Sequence, residues 1–187
     1  MKDFNAEYNE QTDGYQQASP GKYPAHVTGF QVFTTGSGSK VFNIEFTLAE
    51  ECKDMQINKM TRNKDNNYES IEGEMINAGF MAGKKYFTTG LWLTPNLPSD
   101  QRWKNRSYTE FCKNIGIEFE KGENGSIKLS EIEESDIIGM PGLAHIDVNK
   151  YKDKKTGEEK ASLKVVNVFP WNDGERKEPP KDTDVPF

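Results

Sequence analysis

Two histidines, two cysteines, a cluster of acids and one basic stretch interleaved with aromatic rings are the residues of this 187-residue chain that could do chemistry. His26 and His145 are far apart in sequence, each inside a strand-like stretch, and no serine and carboxylate stand with either in a triad pattern. The run Gly36–Lys40 (GSGSK) lacks the spacing of a phosphate-binding loop and opens a strand rather than a helix. Glu131, Glu133, Glu134 and Asp136 have no matching carboxylates elsewhere, so a solvated helix face explains them better than a metal site. Cys52 and Cys112 have no Cys or His neighbour at metal spacing and read as two reduced thiols, one in a core helix. The expectation is a protein that is not an enzyme and uses no metal or cofactor.

The basic stretch is more informative. From Lys84 to Arg106 five basic residues (Lys84, Lys85, Arg102, Lys104 and Arg106) face one acid, Asp100, and alternate with Tyr86, Trp92 and Trp103. A second basic run, Lys150, Tyr151, Lys152, Lys154 and Lys155, carries only Asp153 against it. An unpaired nucleic-acid strand asks for cations along its phosphates and flat side chains under its bases, and these segments supply both. The alternative is that Tyr86 and Trp92 pack beneath another segment and the lysines merely solubilise the surface. The net charge of −6 argues against a nucleic-acid partner only if the charge is spread evenly. Here the acids concentrate elsewhere, eight of them against three lysines between Glu110 and Asp136. Screening confines each charge to about 8 Å, so an acidic protein can still present a positive face.

The elements that must position these groups follow from hydrophobic period. Residues 1–20 form a polar, loosely packed lead-in. Residues 21–35 form a strand in which Tyr23, Ala25 and Val27 share a face, Gly29 breaks the phase at a bulge or sharp bend, and Phe30 and Val32 resume it shifted by one. After a GSGS turn, Phe42, Ile44, Phe46 and Leu48 alternate in a clean second strand. Residues 51–83 have no firm period and form an insertion, with a weak helix or turn cluster near its end. Its Lys53, Lys59, Arg62 and Lys64 could extend a binding path or cover the fold. A third strand over 84–95 puts Phe87, Thr89, Leu91 and Leu93 on one face, leaving Tyr86, Thr88, Gly90 and Trp92 outward.

Ser99 is placed to cap a helix running through Ile115, where Tyr108, Phe111, Cys112 and Ile115 make one buried stripe and Gly116 ends it. A short helical turn follows, with Ser130 as cap and Glu133 in the capping-box position. Two last strands, 142–151 and 161–171, flank a polar hairpin loop. Five strands with a helix between the third and fourth is the order of an OB-fold, a small Greek-key barrel. The expected organisation is therefore mainly β: an OB-fold domain over 21–171 with insertion 51–83, and a tail over 172–187. That tail has no apolar period, three prolines and eight charges, and is expected to be disordered.

The tail ends in KDTDVPF, with Asp182, Asp184, Val185, Pro186 and Phe187 last. This ending resembles the C-terminal tip of bacterial and phage single-stranded-DNA-binding proteins, an acidic tail closing on Asp, an aliphatic residue, Pro and Phe. The body from GKYPAHVTGF to VVNVFPW also looks like phage-encoded OB-fold members of that group. The resemblance implies sequence-independent coating of single-stranded DNA in replication, recombination or repair, with partner enzymes recruited through the tip. Pro186 limits the backbone, so docking Phe187 would cost less entropy, and Phe187 offers a ring and a carboxylate to an apolar pocket beside a cation. The chain departs from the pattern: Val185 stands where Ile is usual, Thr183 interrupts the aspartates, and residues 172–187 carry five acids against three bases. The runner-up from the residues is an OB-fold adaptor that binds proteins alone, or an RNA-binding module. The polar N-terminus and the absence of a long apolar run point to a cytoplasmic protein, within the host cell if phage-encoded. The sequence is compatible with a homo-oligomer.

Overall fold

The computed structural model describes residues 16–63, 67–122 and 127–171. Strands β1 (Gly21–Thr34) and β2 (Lys40–Leu48) pair antiparallel, as their alternation predicts. In β2, Phe42, Ile44, Phe46 and Leu48 are buried, while Val41, Asn43, Glu45 and Thr47 point outward and are half-buried. In β1 the phase break falls where expected. Val27 pairs with Phe46 and Gly29 with Glu45, so Thr28 is the extra residue of a bulge. A Cβ on Gly29 would stand 3.0 Å from the Glu45 Cβ, which is why the strand carries glycine there. Beyond the bulge Phe30 faces in, its ring 5.8 Å from that of Phe42.

The third strand differs from expectation. It is two short strands, β5 (Lys85–Phe87) and β6 (Leu91–Leu93), both paired to β2. Between them Thr88 turns into the core. Its amide donates to the Ile44 carbonyl (2.9 Å) and its Oγ1 accepts from the Ile44 amide (3.0 Å). Gly90, at φ +99°, resets the phase. The inward face is therefore Tyr86 and Thr88 before the break and Leu91 after it. The predicted alternation holds in β6 and is inverted in β5.

Strands β9 (Pro141–Lys152) and β10 (Glu159–Phe169) form the final hairpin, and β9 pairs with the start of β1. The strand order is β10-β9-β1-β2-β5, with β6 also on β2. A parallel bridge between Thr88 and Val165, with the Thr89 amide donating to the Val165 carbonyl (3.2 Å), brings the two ends of the sheet together. The molecule is mainly β, built on a nearly closed, barrel-shaped sheet compatible with the expected barrel class.

Helix α1 (Arg106–Asn114) lies between β6 and β9 in the chain and presents the predicted stripe: Tyr108, Phe111, Cys112 and Ile115 are all buried. Gly116 at φ +92° ends it, as expected. The residues before it, Ser99–Asn105, form a 3-10 helix, and Ser99 makes no side-chain cap. The buried Tyr108 hydroxyl donates to the Ser130 carbonyl (2.8 Å) and accepts from the Ile132 amide (2.9 Å). Ser130 is thus held by its backbone and is no cap; the short helix α2 (Glu134–Ile137) starts later, with Glu133 as N-cap in a capping box with Asp136. Cys52 and Cys112 are buried free thiols, both pushed up to about 12 by burial.

The insertion contains an unpredicted antiparallel hairpin, β3 (Gln56–Arg62) and β4 (Tyr68–Asn77); of the expected weak helix or turn cluster, the first part is strand β4 and the second a 3-10 turn, Ala78–Met81. A further two-stranded piece, β7 (Glu120–Lys121) with β8 (Ile127–Lys128), follows α1. The end of the lead-in is drawn in rather than loose: Ala18 and Ser19 are buried, and the Tyr23 hydroxyl donates to the Ser19 carbonyl (2.8 Å). No described helix is long and apolar enough to cross a membrane. The tail over 172–187, including Asp182, Asp184, Val185, Pro186 and Phe187, lies outside the described residues, as does Lys64.

Candidate nucleic-acid interface

The outer face of β1, β2 and β5/β6 carries its rings in register. Phe33 on β1 is directly opposite Val41 on β2, and Val41 is directly opposite Trp92 on β6. Directly opposite residues share a face. Phe33 is 57% and Trp92 48% exposed, so two large rings stand on the surface with the small Val41 between them. Two strand spacings separate their backbones, roughly 10 Å. Gly90 makes room for this row: a Cβ there would lie 3.2 Å from Val41 Cγ1 and 4.0 Å from the Trp92 indole nitrogen.

A second row on the same face runs Gly29, Glu45, Phe87. Phe87 is half-buried, and the Lys164 ammonium from β10 sits 5.5 Å from its ring centre. Beside it Lys85, opposite Thr47, bonds to Glu45 at 3.0 Å, and Glu45 also accepts from Thr28 Oγ1 at 3.1 Å. Glu45 is thus a fixed acid whose charge Lys85 offsets. Lys84, Lys85, Tyr86, Phe87 and Lys164 line one cleft of about 470 Å³ at the seam between β5 and β10. Lys84 lies 4.8 Å from the Phe80 ring centre, and partial burial lowers its pKa.

The structure brings some predicted residues together and separates others. Lys84, Lys85 and Tyr86 share the cleft, but Tyr86 is not an outward ring. It sits opposite Phe46 and packs on the core, offering the cleft only part of its surface. Trp92 is outward, as expected. Arg102, Trp103 and Lys104 are on the 3-10 helix, and Arg106 opens α1. This segment is clamped to the end of β6: Asn105 Oδ1 accepts from the Thr94 amide (2.8 Å) and Asn105 Nδ2 donates to the Thr94 carbonyl (2.9 Å). Trp103 is 69% exposed, and Arg106 pairs with Glu110 (2.6 Å).

Lys150, Tyr151, Lys152, Lys154 and Lys155 are exposed on the β9–β10 hairpin. Its turn is organised by Asp153, which accepts from Lys160 (2.5 Å) and from the Lys155 and Thr156 amides. The lysine bond above all holds that carboxyl down at about 2. Lys150 pairs with Glu159 at 3.8 Å. In the insertion, Lys53 pairs with Glu50 and Lys59 with Glu74, while Arg62 reaches the cleft.

Sequence reasoning did not single out Phe33, Phe87, Lys164 or Tyr68. Phe33 was recoverable, because the shift at Gly29 that turns Phe30 inward turns Phe33 outward. Phe87 is betrayed only by Thr88, the polar residue that enters the core between β5 and β6. Lys164 alternates with the inward Val165. Nothing in the sequence placed Tyr68 beside the barrel. The chain matches no protein-family model, and no curated protein matches it in sequence.

Proposed function

We propose that this protein binds single-stranded DNA, largely without sequence preference, and coats and protects it during phage or bacterial DNA replication, recombination or repair. The observation that carries the reading is the surface row Phe33–Val41–Trp92 on a barrel face that carries Phe87 and Lys85 further along, with Lys164 beside Phe87. Exposed large rings are costly to keep in water unless something covers them, and bases stack on any of them at about 1–3 kcal/mol each. Neighbouring ammonium groups suit the phosphates. The barrel is read as an OB-type Greek key. Its order β1-β2-β5/β6, then β10 beside β5 and β9 returning to β1, with α1 between the third and fourth barrel strands, supports that. In that fold the candidate face is one used for oligonucleotides. The tip ending in Asp184-Val185-Pro186-Phe187 is proposed to recruit replication or recombination enzymes to the coated strand.

Retention on single-stranded DNA cellulose tests the reading. The protein is expected to be retained at low salt, to be eluted by poly-dT better than by duplex, and to elute as salt rises. Deleting Val185 to Phe187 is expected to leave retention unchanged or stronger while abolishing capture of host replication proteins by the coated resin. Flow-through at low salt would refute DNA binding. Preferential elution by a ribose homopolymer would reassign the protein to RNA.

A further inference from the structure

The hairpin β3–β4 forms its own two-stranded sheet, anchored at its root and exposed along most of its length. The root is fixed by buried Ile57, by Asn77 Nδ2 donating to the Lys53 carbonyl (2.6 Å), and by the Ala78 amide donating to the Met55 carbonyl (2.9 Å). The far end comes back to the barrel. Arg62 and Tyr68 line the same 470 Å³ cleft as Lys84, Lys85, Phe87 and Lys164. An adjoining opening of about 570 Å³ shares Arg62, Tyr68 and Gln17 with it. A third, of about 360 Å³, shares Ala161 with the first and sets Asn67 of the hairpin beside Lys150 and Lys160. The three openings share lining residues and so lie side by side, from β5 toward the β9–β10 turn.

The walls are cationic: Arg62, Lys84, Lys85, Lys150, Lys160 and Lys164 stand against one lining acid, Glu159, which pairs with Lys150 (3.8 Å), while Glu45 (3.0 Å) and Asp153 (2.5 Å) from outside the lining hold Lys85 and Lys160. The hairpin contributes a flat layer. The Arg62 guanidinium carbon lies 4.6 Å from the Tyr68 ring centre, and its NH2 group donates to the Tyr68 hydroxyl (2.5 Å). An arginine held on an aromatic plane can stack a base and meet a phosphate.

We propose that the β3–β4 hairpin is an arm forming the second wall of the path. A single strand leaving the Phe33–Trp92 row passes beneath it, with phosphates on Lys84, Lys85 and Lys164 and a base against the Arg62–Tyr68 layer. This rests on the DNA-binding reading and adds to it a covered segment, so the strand engages more nucleotides than the open face alone holds.

Binding of the full chain to dT oligomers of two lengths, about 5 and about 16 nucleotides, tests it. Arg62→Ala/Tyr68→Ala is expected to bind the short oligomer like the wild type and the long one about tenfold more weakly, with faster dissociation. Lys164→Ala, on the opposite wall, is expected to lower the long oligomer's log–log salt slope by about 0.7. An affinity for the long oligomer unchanged in Arg62→Ala/Tyr68→Ala, whatever Lys164→Ala does, or an equal loss at both lengths, would overturn the arm while leaving DNA binding standing. Failure of the wild type to bind either length would overturn DNA binding itself, and the arm with it.

Discussion

Phe33 and Trp92 have little to do for the fold. Each is about half exposed or more: Phe33 stands in the exposed last stretch of β1, and Trp92 points outward next to the buried Leu91 on β6. Removing either ring should therefore separate binding from stability. Phe33→Ala and Trp92→Ala are each expected to weaken poly-dT binding by about 1–3 kcal/mol, roughly 5- to 150-fold, with the melting temperature nearly unchanged. Isothermal titration beside a thermal melt would read both. Tyr86 is the internal contrast. It packs against the core opposite Phe46, so Tyr86→Ala should lower stability as well as affinity, and its binding loss would not by itself mark a stacking platform. Loss of stability without loss of binding in the Phe33 and Trp92 variants would remove the aromatic row from the account.

At the scale of elements, the bulge in β1 and the break between β5 and β6 set which rings face out. Both depend on a glycine. Gly29→Ala would drive its Cβ against Glu45, displacing the acid that Thr28 and Lys85 hold, and is expected to cost about 1–2 kcal/mol in denaturant unfolding. Gly36→Ala, where an added Cβ meets nothing within 4 Å, is the matched control and should be close to neutral. Equal effects at the two sites would show that the bulge is not under this constraint.

The same glycines mark what the sequence disclosed. β2, the final hairpin and the α1 stripe each bury one face more than the other, so their periods were readable; β1 was readable from the alternation of Tyr23, Ala25 and Val27, although Pro24 and His26 between them are buried too. The bulge at Gly29 was readable because apolar residues flank it on both sides. The phase reset at Gly90 was missed, since Tyr86, Phe87, Leu91, Trp92 and Leu93 look alike to any apolar pattern. Only Thr88, a polar residue that enters the core to bond Ile44, reveals the inversion. The β3–β4 hairpin buries almost none of its own side chains, so it has no inward face to write into the sequence. Its nearness to Lys84 and Lys164 is a tertiary fact that no local pattern carries.

At the scale of the whole molecule, a chain of net charge −6 is proposed to hold a polyanion. This is consistent only if attraction is local, with Lys84, Lys85, Lys164 and Arg62 gathered at one seam and the acid-rich stretch from Glu110 to Asp136 on other elements. Binding must then rest on both stacking and counterion release, and two of the three tryptophans, Trp92 and Trp103, are exposed enough to report it while Trp171 is buried. The most direct test is a titration of intrinsic fluorescence with poly-dT at two salt concentrations, on wild type and on Trp92→Phe. On this reading the wild type shows a saturable change, reduced in Trp92→Phe to what Trp103 reports, and an affinity that falls with salt at about −0.7 in log–log slope for each phosphate neutralised. Saturable binding that ignores salt, or a signal that survives intact in Trp92→Phe, would contradict it.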